Sequence, residues 1–187
     1  MMRINYFLLV FIFAINATFA QNKNTQDEFW KQLQAHCGKA YSGKLSTEPA
    51  PKDFADKKLS MYVMSCSDSE IKIPFYVGDD HSRTWVFTKT KNGIQLKHDH
   101  RLKDGSEDKI TQYGGTTTNT GASQIQFFPA DQETTDLIPA ASANVWWVTI
   151  DGNEYTYNLR KANSPNHFQV RFDLSKEIPV PERPWGH

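Results

Sequence analysis

Residues Asn144–Leu174 read NVWWVTIDGNEYTYNLRKANSPNHFQVRFDL, and their alternating pattern sets the fold class. Aromatic and aliphatic side chains recur at every second position, as at Tyr155, Tyr157 and Leu159, which is the period of a β-strand with one buried face. Asp151-Gly152 is a two-residue hairpin signal, because both residues tolerate a positive φ. The stretch predicts three antiparallel strands, at Asn144–Ile150, Asn153–Lys161 and Asn166–Leu174.

The same alternation runs upstream, where Asn92-Gly93 and Asp104-Gly105 give further turn signals. Pro74 predicts that its strand lies at a sheet edge or contains a bulge. The Gly, Thr and Asn content of Gly114–Ala122 predicts a loop. The strands predicted in this region are Tyr41–Ser46, Leu59–Ser65, Glu70–Val77, Arg83–Thr90, Ile94–Lys103, Asp108–Tyr113 and Gln124–Phe128.

Helical spacing is confined to two short segments. Phe29, Leu33 and His36 recur at i, i+4 and i+7 and predict a helix over Asp27–His36, and one or two helical turns are predicted over Asp131–Ile138. Such an N-terminal helix should plug or flank the sheet. The Pro-rich tail, residues 175–187, should run extended across the surface.

About ten short strands joined by tight turns should pair as a meander, and closure would remove the exposed edges. We therefore predict a single mainly β domain over residues 21–187. Its fold is a closed or nearly closed antiparallel up-and-down barrel of about 8–10 strands, lipocalin- or calycin-like, with a short N-terminal helix. A two-sheet β-sandwich is the alternative. The difference matters, because a barrel of this size can enclose one small ligand.

Residues 1–20 have the form of a secretory signal peptide. Arg3 precedes a short apolar run, and the small residues Thr18 and Ala20 precede a cleavage point before Gln21. The pattern predicts export to the periplasm or the extracellular space. No second long apolar stretch follows, so no stable membrane insertion is expected after cleavage.

The charge balance and the missing sequence motifs exclude several function classes. The chain has 21 basic and 21 acidic residues, which gives no field for steering nucleic acid. It contains no nucleophile elbow, phosphate-binding loop, zinc-protease helix or dinucleotide fingerprint. We therefore expect no cofactor and assign no catalytic residue.

Cys37 and Cys66 are the only cysteines, an even count in a chain predicted to be exported. An oxidising compartment favours a disulfide between them. The alternative is two buried free thiols. A bridge would join the end of the predicted helix to a strand.

The densest cluster of chemically capable residues is LKHDHRLKDGSEDKITQYGG, at Leu96–Gly115. In a regular pleat His98 and His100 share a face with Ile94 and Leu96, so both should point into the interior. They could contact an organic ligand, act as neutral core histidines, or, with a third ligand, bind a metal as an H-x-H pair. Outside the barrel, Arg101 should pair with Glu107 or Asp108, and Asp104 should cap the turn.

Trp85, Tyr155 and Tyr157 lie on neighbouring predicted strands and could form either the core or the wall of an apolar pocket. Only one of the consecutive Trp146 and Trp147 can face inward. With the two histidines, the three aromatic residues form the predicted ligand site.

The leading hypothesis is a non-enzymatic, exported barrel that binds a small apolar or amphipathic ligand. The alternatives are a metal-dependent enzyme and an envelope structural or interaction domain without a pocket.

Several phrases of the chain resemble a family of uncharacterised secreted bacterial proteins. They are HCGKAYSGKL, KHDHRLKDGSED followed by TQYGG, FFPAD, NVWWV and the final PERPWGH. The resemblance implies export but brings no activity, substrate or catalytic residue. The strand pattern is also loosely similar to lipocalins, although the G-x-W motif of their first strand is missing.

Overall fold

The computed structural model describes residues 25–187, and the predicted signal peptide lies outside them. The described chain forms one antiparallel sheet that curls into a nearly closed barrel, as predicted. The strands are β1 Ala40–Leu45, β2 Leu59–Tyr62, β3 Ser65–Cys66, β4 Glu70–Val77, β5 Asp80–Thr90, β6 Gly93–His100, β7 Tyr113–Thr116, β8 Ile125–Pro129, β9 Asn144–Asp151, β10 Glu154–Lys161 and β11 His167–Ile178. Two short α-helices accompany them in the described residues, α1 at residues 25–34 and α2 at Gln132–Leu137, and a single 3-10 turn spans Pro139–Ala141.

Neighbouring strands in the sheet are neighbours in the chain, except that the first strand, β1, pairs with the last, β11. Around the barrel it is β7-β6-β5-β4-β2-β1-β11-β10-β9-β8, with β3 paired to β4 as a short continuation of β2. The pairing of β1 with β11 brings the two halves of the sheet together. Since consecutive strands are joined mostly by tight turns, the meander predicted from the hairpin signals accounts for nearly all of this topology.

The seam between β7 and β8 closes the barrel without a regular strand pairing. A Cβ atom on Gly115 would lie 1.7 Å from the carbonyl oxygen of Pro129, so only glycine allows this approach. The N–H of Asp131 donates to the carbonyl of Gly114 at 3.0 Å, and the Thr134 hydroxyl donates to the same oxygen at 2.8 Å. The Gly-Gly pair is therefore a strand at the seam, and its prediction as the start of a loop was wrong.

One other local prediction was wrong, and a second was met by only one of its two alternatives. The segment before β7 is an irregular connection, because Asp108 and its neighbours bend back through turns and the strand begins only at Tyr113. Pro74 lies within the sheet, not at its edge, opposite the break between β2 and β3 where no ladder N–H is needed. The prediction of a sheet edge or a bulge is confirmed by the bulge, which lies one residue later, between Phe75 and Val77.

Helix α1 closes one end of the barrel. Phe29, Trp30 and Leu33 are buried against the core, and the Trp30 indole donates to the Ser67 carbonyl just before β4. The helix ends at residue 34, two residues earlier than predicted, and a turn leads to Gly38 at φ +82°. The predicted disulfide is present and joins this turn to β3, Cys37 to Cys66.

The C-terminal tail returns along the outside of the barrel. Tyr76 donates its hydroxyl to the carbonyl of Glu182 at 3.0 Å, and the N–H of Trp185 donates to the carbonyl of His81 at 3.1 Å. The extended surface path predicted for the tail is found beyond Ile178, because residues 175–178 belong to β11. No helix in residues 25–187 has the length and apolarity needed to cross a membrane.

Candidate functional site

A cleft of about 360 Å³ occupies the end of the barrel opposite α1. It opens to solvent at its rim, where Ile110 stays exposed. Its volume falls in the lower part of the range of small-molecule sites. The wall is largely aromatic, with rings from Phe75, Trp85, Tyr113, Trp146, Tyr157 and Phe168.

Strand register places the polar groups of the cleft. On β6, His98 and His100 face inward with Leu96, and the pairing with β5 sets Trp85 opposite His98 and Arg83 opposite His100. Because alternate residues of paired strands share a face, these four side chains form one patch of the inner wall.

His98 is buried, and both of its ring nitrogens are engaged. Nδ1 lies 2.9 Å from the carbonyl oxygen of Tyr113, and Nε2 lies 2.7 Å from the hydroxyl of Tyr157. Burial lowers the pKa of His98 to about 3, so the ring is neutral near neutral pH. A carbonyl can only accept, so Nδ1 carries the proton and Nε2 accepts from Tyr157. This is the arrangement of a neutral core histidine that also borders a cavity.

His100 lies nearer the mouth and is half-buried. Its Nε2 is 3.1 Å from the hydroxyl of Tyr113. Burial, followed by the positive charge of Arg83, lowers the pKa of His100 below its usual value. Nδ1 has no hydrogen-bond partner among residues 25–187. When the Tyr113 hydroxyl donates to Nε2, Nδ1 carries the proton and is left as a donor without a partner in the described chain.

Arg83 brings the positive charge to the mouth. Its Nη1 pairs with Asp80 at the start of β5, and its guanidinium carbon lies 5.8 Å from the ring centre of Phe54. Phe54 comes from the loop between β1 and β2 and packs on Phe168, with ring centres 4.8 Å apart. The loop thus forms one wall of the cleft together with the arginine.

The floor of the cleft is a layer of packed rings. Tyr157 stacks on Trp85 with ring centres 4.3 Å apart, and Phe75 stacks on the same indole at 4.8 Å. Trp146 borders His98 at 5.2 Å and faces inward, whereas Trp147 faces outward and stacks on Phe127. Such offset stacking keeps the wall rigid.

Of the five predicted ligand-site residues, four line the cleft: Trp85, His98, His100 and Tyr157. Tyr155 does not. It borders a narrow gap beneath α1 that has no room for a water molecule, and its buried hydroxyl has no partner in the described chain. Tyr155 faces inward like Tyr157, because the two residues are two positions apart on β10. Tyr155 is the nearer of the two to the end of the barrel that α1 covers.

The outer face of β6 is also covered, which the sequence prediction missed. Asp99 is buried and receives two hydrogen bonds from Arg101, at 2.8 and 3.1 Å, and Nε2 of His187 in the tail lies 3.2 Å from it. Burial would raise the pKa of Asp99, but His187 and Arg101 outweigh it and hold the pKa at about 2. Lys97 is covered by α2 and pairs with Asp131 and Glu133, at 2.7 Å each.

The predicted hairpin contacts are found beside that buried pair. Arg101 lies 3.1 Å from Glu107, and Asp104 accepts the N–H of Ser106 to cap the turn. Asp108 caps a second turn at Ile110. The charged half of the Leu96–Gly115 cluster thus supports the connection between β6 and β7.

The metal hypothesis finds little support in this geometry. In residues 25–187 no group of three or more His, Cys, Asp or Glu side chains converges as a metal site would. His36 lies at the α1 end of the barrel, away from His98 and His100, and its Nδ1 is 2.7 Å from the hydroxyl of Tyr41. Both nitrogens of His98 already have partners, so metal binding would require breaking the Tyr157 bond.

Several cleft residues were not in the predicted site: Tyr113, Arg83, Trp146 and Phe54. Parity on β5 could have indicated Arg83, which alternates with Trp85 and Phe87. Nothing local could have indicated Phe54, which reaches the cleft from a long loop. Comparison of the chain with protein-family models, curated proteins and solved structures gives no match.

Proposed function

We propose that this protein binds a small, largely apolar ligand in the open-end cleft, without catalysing a reaction on it. The proposal rests on the volume of the cleft together with the chemical nature of the residues in its wall. A cavity of about 360 Å³ is bordered by rigid aromatic rings and by a few polar groups at one side. Binding sites for small molecules have this composition.

Binding is favoured over catalysis by the state of the polar groups. His98 is neutral and held from both sides, so it is poorly placed to take up or release a proton. Burial raises the pKa of Tyr113 to about 12, and burial likewise raises the pKa of Tyr157 well above its usual value, so both remain protonated donors. These groups suit the orientation of a ligand. The alternative of a structural domain without a pocket would require a filled interior.

Export is part of the same proposal. It rests on the signal-peptide pattern of residues 1–20, and the Cys37–Cys66 disulfide supports it because such bonds persist in oxidising compartments. Intact-mass analysis of the protein from its native host should give a chain beginning at Gln21. A chain that retains residues 1–20 in the cytoplasm would contradict export and leave the binding proposal standing.

Fluorescence titration with N-phenyl-1-naphthylamine, a neutral apolar dye, tests the binding. We expect saturable enhancement of dye emission at one site per chain, with quenching of tryptophan emission from Trp85 and Trp146. Asn144→Trp should block the cleft, because Asn144 lies in its wall. Ser142→Trp is the matched control, since Ser142 is exposed and outside the wall. No saturable binding to wild type, or equal binding by both variants, would overturn the proposal.

A further inference from the structure

The cleft wall has an unbalanced charge. Among the residues that line it, Arg83 is the only one with a formal charge near neutral pH, because His98 is neutral and both tyrosines are protonated. A guanidinium cannot lose its proton in a protein. A ligand that enters the cleft therefore meets one permanent positive charge beside an apolar surface.

Arg83 keeps binding capacity despite its ion pair. Asp80 occupies Nη1 only, and the remaining N–H groups of the guanidinium have no hydrogen-bond partner in residues 25–187. Asp80 is itself oriented by the backbone N–H of Ser82, at 2.9 Å, so it cannot easily cover the other edge of the guanidinium. The planar fork of an arginine matches a carboxylate, which it can bind with two parallel hydrogen bonds.

A second donor lies on the same patch. The register of β5 with β6 sets His100 opposite Arg83, and the Nδ1 of His100 is free of partners in the described chain. Tyr113 fixes the ring from the Nε2 side. An oxyanion at the mouth could therefore accept from the guanidinium and from Nδ1–H together.

Three carboxylates near the mouth oppose this preference. Asp108, Asp80 and Asp99 lie close enough to act on His100, but none of them lines the cleft. Asp99 is already paired with Arg101 on the outer face of β6. Asp108 is half-buried and turned to the N–H of Ile110, and the Asp80 side chain is 38% exposed. Solvent screens both more than it screens a group bound inside the cleft. The charge that faces a ligand directly is that of Arg83.

We propose that the ligand of this cleft is a compact apolar carboxylic acid, with its carboxylate on Arg83 and His100 at the mouth and its apolar part against Trp85, Trp146 and Tyr157. This inference rests on the proposed binding function and names the ligand class. The limited volume favours a body of one to three rings, or a short acyl chain, over a long lipid.

A matched series of naphthalene compounds tests the charge preference. 2-Naphthoate, 2-naphthamide and 2-naphthylmethylammonium share one ring system and differ in charge. Each would be titrated against protein loaded with N-phenyl-1-naphthylamine, and the displacement constants compared. We expect 2-naphthoate to bind about tenfold more tightly than the amide, as is typical of a partly buried charged hydrogen bond, and the ammonium compound to bind most weakly.

Variants locate the effect. Arg83→Gln should reduce the naphthoate-to-amide ratio to about one. The ratio compares two ligands of one shape on the same variant, so a change in the apolar binding of both ligands cancels. Arg83→Lys keeps the charge without the fork and should retain part of the ratio. Arg171→Gln is the matched control, because Arg171 also pairs with a single carboxylate, Glu154, on the outside of the barrel. Circular dichroism would verify that each variant is folded.

The outcomes separate the two proposals. If the neutral dye fails to bind wild type, the proposed function falls. If the dye binds but the amide or the ammonium compound equals or exceeds naphthoate, only the acid specificity falls. The acid specificity also falls if Arg83→Gln leaves the ratio unchanged in a folded protein, because the anion would then be held elsewhere.

Discussion

Trp30 and Trp146 lie at opposite ends of the barrel and are both 1% exposed. Trp30 belongs to the helix that closes one end, where the neighbouring gap has no room for a water. Trp146 belongs to β9 and borders an open cleft of about 360 Å³. Burial alone does not distinguish a core residue from a pocket residue. What differs is the presence of a covering element, α1, at one end only.

The largest loss of stability should come from a substitution at the closed end of the barrel. Trp30→Ala leaves a cavity between α1 and the sheet and should lower the free energy of unfolding by about 3–5 kcal/mol. The matched change at the open rim, Ile110→Ala, should cost less than about 1 kcal/mol because Ile110 is exposed. Urea denaturation measures both. Equal losses would mean that the two ends do not differ as their packing indicates.

The disulfide should show the next largest effect, again confined to the closed end. Replacing Cys37 and Cys66 together by serine opens the loop between them, whose ends are 29 residues apart in the sequence. In the chain-entropy model this should lower the free energy of unfolding by about 3–4 kcal/mol. The measurement is guanidinium denaturation of the double variant beside the oxidised wild type. Dye affinity of the folded variant should be unchanged. A changed affinity would show that the α1 end and the cleft are coupled.

Asp99→Asn tests how much the ion pairs of Asp99 with Arg101 and His187, on the outer face of β6, stabilise the open end of the barrel. The pKa of Asp99 in the folded protein is about 2, below its usual value of 3.8, so its charge stabilises the folded state above pH 3.8. The contribution is about 2 kcal/mol at pH 7 and is lost as the pH falls through 3.8 towards 2. Denaturant titrations at pH 7 and pH 3 compare variant and wild type. A difference that persists undiminished at pH 3 would assign the effect to packing.

The smallest expected effect is a pH dependence of acid binding. His100 has a lowered pKa, so it is neutral near pH 7, and a bound carboxylate would raise that pKa and favour protonation. Lowering the pH from about 7.5 to about 5.5 should therefore raise the naphthoate-to-amide ratio a few-fold, and His100→Gln should remove the dependence. The charged and titratable groups facing His100 are Arg83, Asp80, Asp99, Asp108 and Tyr113. A flat ratio in wild type would place the carboxylate away from His100.

Much of the fold could be predicted because β-structure is encoded locally. Alternation and the hairpin pairs Asn92-Gly93 and Asp151-Gly152 predict the strands and their order. The errors fell where tertiary contact overrides local preference. Gly114 and Gly115 look like a loop, but neighbouring backbone must approach them closely, and only glycine leaves the space. Pro74 predicted a sheet edge or a bulge, and the bulge is present, but only the tertiary structure shows why the strand can lie within the sheet: the break between β2 and β3 removes the need for its N–H.

The sequence by itself determined which face of β6 carries His98 and His100, since side chains alternate along any strand. It also indicated the Cys37–Cys66 disulfide, the N-terminal helix and the aromatic residues that fill the interior. Only the tertiary structure decided that Tyr155 lies at the filled end and Tyr157 at the open one, because position along the barrel axis depends on which elements cover each end. The approach of Phe54, Arg83 and Tyr113 to one cleft is likewise a product of strand register and of a long loop, neither of which a local pattern specifies.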